Sequence, residues 1–545
     1  MVKYYKGLYY IGSMLEERAR TILNLREMSV VESLKHCIYE LTDAQINTVI
    51  TNEVDVDFKK VVIGTLRDEQ TVGVAFMYYA EAALLGDDVG LGKTVEVAGL
   101  LNVLLQEKKK RDGANAVLNY LFLTESTSVV EIRRKLIKFT GRYNSLLESG
   151  EQAVVNAYIK KLSAPVAPGD TQNYSAVGTH SLLRSTAFLS FCATHPFDII
   201  IFDESSSARN ATGGSVLYRN LKLLMQKTRY KVLLNATPLE VSMKDIYNQF
   251  ALLDNTYLPT VRDFESLYCT KKQQGCRFVI DGAKNLDILK RALSLRYLAR
   301  TRKQLGAKYE GNQAHLFVLG LNDVQRQLQK QTSLYQQLYD YPPSIMFDVD
   351  NTIANVPKIW ATLAILEQYK LKGQKVMIYC NYLACQACLQ MYLEQFGYVV
   401  SVLNGSTSSK KRTQIIEDFH TGKCDILLTN TRRSLDLQDC DHCIIYTIDT
   451  SPLKTVQVEG RLTRDFDVVG KNIYVLCMAG RELKTLFGIV HQRAKMSEGA
   501  TTENNSLYIS MLLREDKLVY NIPATAYNSS PETYRLEPIV ESNIG

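Results

Sequence analysis

Apolar residues in this chain fall into short, nearly uninterrupted runs separated by longer amphipathic stretches. Between about residues 60 and 245 the runs are NAVLNYLFLT, SAVGTHSLL, FDIIIFDE and YKVLLNATP. Apolar runs of about four to eight residues bounded by turn formers are expected of strands covered on both faces. With helical periodicity between them, they predict a parallel sheet joined by crossover helices. A second set begins near Lys375 with KVMIYC, YVVSVLN, CDILLT, HCIIYTI and NIYVLCM, and predicts a second sheet of the same class. Between the two sets, polar helical patterns such as LNDVQRQLQKQTSLYQQLY dominate. The expected architecture is therefore α/β: a small, mainly helical lead-in over 1–60, a first lobe over 61–250, a helical insertion over 251–355, a second lobe over 356–500, and a partly frayed tail over 501–545.

Length agrees with two cores, since single cores stop growing beyond roughly 250–300 residues and this chain has 545. Hydrophobic residues at 46% and charged residues at 22% exclude a mostly disordered or fibrous protein. The net charge of +7 is modest, so any site for a polyanion must be a local stripe. The run VGVAFMYYAEAALLG is broken by Glu81, no stretch reaches the roughly 18 apolar residues of a membrane span, and the N-terminus lacks a convincing secretory signal. A soluble intracellular protein with no membrane association is expected, in the cytoplasm or in a host cell if the chain is viral. Eleven cysteines, an odd number, suit a reducing compartment. The CxxC pairs Cys385/Cys388 and Cys440/Cys443 sit in a helical run and beside a strand, where buried thiols are expected rather than zinc ligands.

Chemistry concentrates first at Gly86–Thr94, GDDVGLGKT, directly before the helical run VEVAGLLNVLLQ. Glycines let backbone N–H groups close around phosphate oxygens, and the following helix presents its positive end to the same anion. Lys93 is placed to meet β- and γ-phosphates and Thr94 to hold Mg2+, which points to ATP. Further on, FDIIIFDESS delivers Asp203 and Glu204 at the carboxyl end of an apolar strand, where open α/β sheets bind ligands. A metal-holding role suits Asp203, and activation of an attacking water suits Glu204. In QVEGRLTR, Arg461 and Arg464 lie one helical turn apart on a shared face, suited to the spread charge of a transferring phosphoryl group.

Taken together these motifs resemble the Snf branch of superfamily two helicases. In GDDVGLGKT, Asp87 stands where a phosphate loop usually has its first glycine, and DD-x-GLGKT is similar to the D[ED]-x-GLGKT of that branch. Upstream, LRDEQTVG is similar to its LR-x-x-Q-x-x-G element, LLNATPLE to its [TS]-[GA]-TP-[LI]-x-N segment, and QVEGRLTR to its Q-x-x-GR-x-x-R. The resemblance covers about residues 60–500 and implies two tandem RecA-like domains that close on ATP and Mg2+ and step along DNA, duplex favoured and single strand possible, as a helicase or translocase. It implies a nucleotide site of Gln70, as adenine reader, with Asp87, Asp88, Val89, Gly90, Leu91, Gly92, Lys93 and Thr94. Arg461 and Arg464 would serve as arginine fingers, and Thr237, Gly405, Ser406, Thr407 and Gln457 would couple the site to nucleic acid. The basic element LRYLARTRK, around Arg300 and Arg302, also resembles the branch, although such a cluster usually forms a wet face. One segment departs: LTNTRRSLDLQDCD replaces a glycine-rich ST-x-AGG-x-G-x-NL, with Arg432 and Arg433 as substitute phosphate contacts. Alternatives are a nucleic-acid clamp with weak or uncoupled ATPase, and an RNA helicase. The compact length suggests a viral, phage or plasmid accessory of replication or transcription.

Overall fold

A computed structural model describes residues 2–5, 8–11, 38–39, 58–88, 90–126, 128–162, 172–208, 215–236, 243–253, 260–274, 277–285, 289, 293, 296–300, 313–331, 352–430, 437, 439–448, 471–488 and 518–539. The chain divides into two compact units, Met1–Leu305 with Met496–Glu503 and Gly306–Lys495 with Asn504–Gly545. Each is built on its own seven-stranded sheet.

The lead-in, expected to be mainly helical, carries strands β1 (Val2–Tyr5), β2 (Leu8–Ile11) and β3 (Ile38–Tyr39) in an antiparallel sheet. The sheet of the first unit contains β4 (Ala82–Leu85), β5 (Tyr120–Thr124), β6 (Ser145–Leu147), β7 (Ala176–Thr179), β8 (Ile199–Asp203), β9 (Tyr230–Leu234) and β12 (Tyr297–Leu298). Its order is β12-β4-β9-β8-β5-β7-β6, and every pairing is parallel. The four apolar runs of the first set fall on β5, β7, β8 and β9. Their near-continuous burial follows from helices on both faces of the sheet, which form two apolar layers.

The apolar run VGVAFMYYAEAALLG divides in two at Glu81. A helix ends at Ala80, Glu81 turns the chain at φ 55°, and Ala82–Leu85 becomes β4. The phosphate loop is thus entered from a strand, with the helix Lys93–Asp112 leaving it.

The stretch 251–355, expected to be a helical insertion, contributes to both units. It contains a hairpin of β10 (Cys269–Gln274) and β11 (Arg277–Ala283), the edge strand β12, and β13 (Gln313–Leu319). β13 lies within the second sheet, between β18 (Asn472–Met478) and β19 (Leu518–Ile522). With β14 (Val376–Tyr379), β15 (Val400–Leu403), β16 (Ile426–Thr429) and β17 (His442–Ile445), the order is β15-β16-β14-β17-β18-β13-β19, again all parallel. The five runs of the second set are β14–β18.

The tail also differs from expectation. Residues 518–539 form the edge strand β19 and a segment docked on the helix Pro357–Gln368, where the Trp360 indole donates to the Ser529 carbonyl at 2.8 Å and packs against Tyr527 and Tyr534. Polar composition predicts fraying only where nothing buries the scattered aromatics, and here Tyr520 and Tyr527 are buried. Both CxxC pairs lie in the second unit. Cys385, Cys440 and Cys443 are buried and Cys388 is partly so, with Cys440 directed at the carbonyls of Lys375 and His442.

Candidate functional site

In the first unit, β9 lies between β4 and β8, so the loop after β4 and the carboxylates after β8 are about two strand spacings apart, roughly 10 Å. That span suits a triphosphate. The Asn235 N–H, just past β9, bonds the Leu85 carbonyl at 3.1 Å and ties these strand ends together.

Around the loop, Lys93 folds its ammonium back onto the carbonyls of Asp87 and Asp88, at 2.5 and 3.2 Å. Gly92 caps the following helix in the left-handed conformation at φ 91°, and a Cβ there would come within 2.4 Å of Gln70 Nε2. Glycine is required for both reasons. Gln70, offered by the sequence as an adenine reader, is buried, and both ends of its amide are engaged within the chain: Oε1 accepts from the Arg67 N–H at 3.2 Å, and Nε2 donates to the Leu91 carbonyl at 3.1 Å. It braces the loop against the preceding helix. Thr94 and Asp88 are partly exposed, Gly90 is exposed, and Leu91 is buried.

Asp87 behaves differently from a nucleotide ligand. Its carboxylate is fully buried and held by Arg300, whose backbone N–H and Nε reach Oδ1 at 2.9 and 3.0 Å and whose Nη2 bonds Oδ2. The same Nη2 meets both oxygens of Glu96 at 3.0 Å, and Nη1 donates to the Glu69 carbonyl. Arg300, in a basic cluster that sequence rules assign to a wet face, is thus the centre of a buried triad. Burial disfavours its charge, but Asp87 and Glu96 more than offset this and keep it protonated. Burial also lifts the Glu96 carboxyl to about 8, against the opposing pull of Arg300.

This assignment has a pH signature. Glu96 retains a proton in the folded unit that the unfolded chain releases above its ordinary value of 4.5, so its contribution to stability declines as pH rises from there to about 8. Glu96→Gln keeps a neutral hydrogen-bonding group and lacks the titration. Its unfolding free energy relative to the unsubstituted protein is expected to rise from pH 5.5 to about 8, with a slope of at most about 1.4 kcal/mol per pH unit, and its relative melting temperature to rise with it. Parallel melting curves across that range would exclude a neutral Glu96.

At the end of β8, Asp203 Oδ2 accepts from the Thr124 hydroxyl at 2.9 Å, and the Asp203 carbonyl meets His180 Nε2 at 2.9 Å. Burial drops the His180 pKa to about 4, so the ring is neutral and acts here through an Nε2–H. It stacks on Phe202 with 4.3 Å between centroids. Glu204 adopts φ 50°, a left-handed conformation that costs a non-glycine residue roughly 1–3 kcal/mol and is characteristic of functional turns. Beyond it, Ser205 bonds Gln249, which also bonds Asn235. His180, Glu96 and Gln249 escaped the motif reading, and Arg300 was legible only as part of a basic cluster. The available signals were a charge inside the apolar run VEVAGLLNVLL and an amide pair inside IYNQFALLD.

In the second unit, Gly405, Ser406 and Thr407 form the turn between β15 and the helix Ser409–His420. The Ser406 N–H and hydroxyl both bond Asn404 Oδ1, at 3.1 and 2.7 Å, and Thr407 Oγ1 accepts from the Asn404 N–H at 3.1 Å. These two residues therefore stabilise their own turn; Ser406 must exchange partners to meet a phosphate, whereas Thr407 only accepts in this bond. Val89, Thr237, Arg432, Arg433, Gln457, Arg461 and Arg464 lie outside the described residues, as does Arg302.

The donor set of the first unit fits a magnesium–nucleotide complex: a strand–loop–helix with an ammonium at its centre, a hydroxyl at the second helical position, and a carboxylate oriented by Thr124. Among the described residues, no separate cluster of His, Cys, Asp or Glu could hold a metal, and no helix is long and apolar enough to cross a membrane.

Comparison with known proteins gives two matches to families: the SNF2-related domain over residues 69–359 and the helicase conserved C-terminal domain over 358–465. Among individual proteins, the chain is 23% identical to Zorya protein ZorD of Escherichia coli, over 85% of this chain and 46% of that one. It is 23% identical to the ATP-dependent DNA helicase DDM1 of Arabidopsis thaliana, over 80% of this chain and 63% of that one. The chain thus spans about half to two thirds of the length of these relatives. Of solved structures, the Sulfolobus solfataricus SWI2/SNF2 ATPase core with dsDNA aligns over 81% of this chain and 94% of that one, with TM-score 0.38 and 16% identity. Dbp5 of S. cerevisiae, bound to RNA and ADP BeF3, aligns over 86% and 96%, with TM-score 0.47 and 12% identity.

Proposed function

This chain belongs to the SNF2-related family, and on that premise we propose that it hydrolyses ATP and uses the cycle to move along, or remodel, DNA. The observation that carries the reading is the arrangement at the carboxyl ends of three interior strands of the first sheet: a phosphate loop after β4 and an Asp-Glu pair at the end of β8, flanking β9.

In this reading Lys93 leaves the loop carbonyls to meet the β- and γ-phosphates, and the amides at the start of the helix Lys93–Asp112 take up the remaining phosphate charge. Thr94 and Asp203 would hold Mg2+, which when bound neutralises phosphate oxygens. Glu204 orients the attacking water and accepts its proton. Arg461 and Arg464 supply the charge that balances the transferring phosphoryl group, a contribution of about a thousandfold or more in comparable sites. Gln70 retains its bracing role and reads adenine only if its amide shares a bond with the base. Thr237 and Gln457 couple the nucleotide site to the track. Gly405, Ser406, Thr407, Arg432 and Arg433 grip phosphates, which makes binding tolerant of sequence and sensitive to salt.

DNA is favoured as the track because the relatives' names point there: DDM1 is a DNA helicase, and RAD54B of Homo sapiens, 22% identical over 82% of this chain, is a DNA repair and recombination protein. Duplex is preferred to single strand, as the branch implies.

The test is ATP turnover measured side by side without nucleic acid and with single-stranded DNA, duplex DNA or RNA. Duplex DNA is expected to stimulate most, and Lys93→Ala to leave below about 1% of the stimulated rate. Stimulation by RNA alone would replace this reading with an RNA helicase. Binding without stimulated turnover would replace it with a clamp.

A further inference from the structure

Glu204 sits in a left-handed conformation, and side chains hold the residues on both sides of it. His180 takes the Asp203 carbonyl. On the other side, the Ser205 hydroxyl donates to Gln249 Oε1 at 2.6 Å.

Gln249 comes from a separate element, the helix Met243–Leu253, and is wholly buried. Its Nε2 donates to the Asp245 carbonyl one turn back, at 2.9 Å, which fixes the amide plane. Its Oε1 accepts a second bond, from Asn235 Nδ2 at 3.0 Å. A carbonyl oxygen has two lone pairs, and here one serves the turn after β8 and the other the residue after β9. Asn235 in turn donates its backbone N–H to Leu85, the last residue of β4 before the phosphate loop. A single buried oxygen therefore lies at the meeting point of three strand ends.

We propose that Gln249 is a positioning residue that holds Glu204 in its strained conformation and makes that conformation depend on the segment following β9. The proposal rests on the assignment of Glu204 as the water-activating base. Neither Ser205 nor Asn235 needs to touch nucleotide for this. A shift of the chain after Asn235 alters the second bond to Oε1, and through the fixed amide it alters the first. Both donors share one acceptor oxygen, so a displacement of Asn235 that moves the amide also changes the distance and angle of the Ser205 bond.

The experiment uses the full chain with Gln249→Leu, nearly isosteric but without either bond, and with Ser205→Ala, which cuts the same link with less disturbance to the core. Two quantities are read: the ratio of duplex-stimulated to basal turnover at saturating ATP, and amide hydrogen exchange at residues 203–207 and 235 without nucleotide. Both variants are expected to lower the ratio by about tenfold, the scale of one buried hydrogen bond, with KM for ATP within about twofold. Exchange at 203–207 should quicken in both variants. The double variant should be no worse than the more severe single one. A purely structural role would reduce basal and stimulated turnover alike and leave the ratio unchanged, and that result, or unchanged exchange at 203–207, overturns the proposal. A wild type that duplex DNA does not stimulate overturns the DNA reading instead, and the exchange measurement then decides on Gln249 by itself.

Discussion

Glu204→Gln is expected to lower duplex-stimulated ATP turnover by about two to four orders of magnitude, with ATP affinity held within about threefold. The substitution keeps the size of the side chain and removes its negative charge, and with it the capacity to accept a proton. Glu204 follows β8 by one residue, at φ 50°, between an Asp203 whose carboxylate is bonded to Thr124 and a Ser205 bonded to Gln249. Neither anchor involves the Glu204 side chain, so the turn should survive the change. The decisive comparison is with Lys93→Ala. Loss of the ammonium should weaken nucleotide binding as well as turnover, whereas Glu204→Gln should bind nucleotide and stall. Equilibrium binding of a fluorescent ATP analogue, with phosphate release measured in parallel, separates the two. Unchanged phosphate release by Glu204→Gln would remove Glu204 from the chemistry and leave the carboxylates after β8 with a metal-holding role alone.

How far the sequence anticipates this arrangement depends on what each residue is paired with. Strands buried on both faces announce themselves, because burial demands continuous apolar runs, and β5, β7, β8, β9 and β14–β18 were all legible for that reason. β4 was not, since its four apolar residues follow an apolar helix and only Glu81, with its positive φ, separates the two. β13 and β19 were harder to see because each stands alone between polar stretches, away from the rhythm of alternating strands and helices, and the edge strand β19 is only five residues long. The same limit applies at the site. Lys93, Asp203 and Glu204 were legible because spacing along one segment defines them. Gln249 and Arg300 act on partners 44 and 213 residues away, and no local pattern marks an amide or a guanidinium as buried.

Arg300 carries the second large effect. Arg300→Met is expected to destabilise the first unit by about 3–5 kcal/mol, lowering its melting temperature by roughly 6–20 °C. The reason is asymmetry: an intact buried ion pair adds little net stability, because desolvation offsets most of the attraction, but removing one partner leaves the other charge buried without compensation. Arg300 is 2% exposed and Asp87 is fully buried, so water cannot take over the lost bonds. Since Glu96 holds a proton up to about pH 8, the uncompensated charge in the variant is chiefly that of Asp87. Asp87→Asn combined with Arg300→Met should therefore recover much of the loss, although each single change is harmful. Calorimetry of the full chain resolves this if the first unit melts separately, and circular dichroism supplies the midpoint if it does not. Should Arg300→Met melt within about 1 °C of the unsubstituted protein, the triad contributes nothing to the fold. In that case Asp87 would be released from its structural assignment and become available to the nucleotide after all.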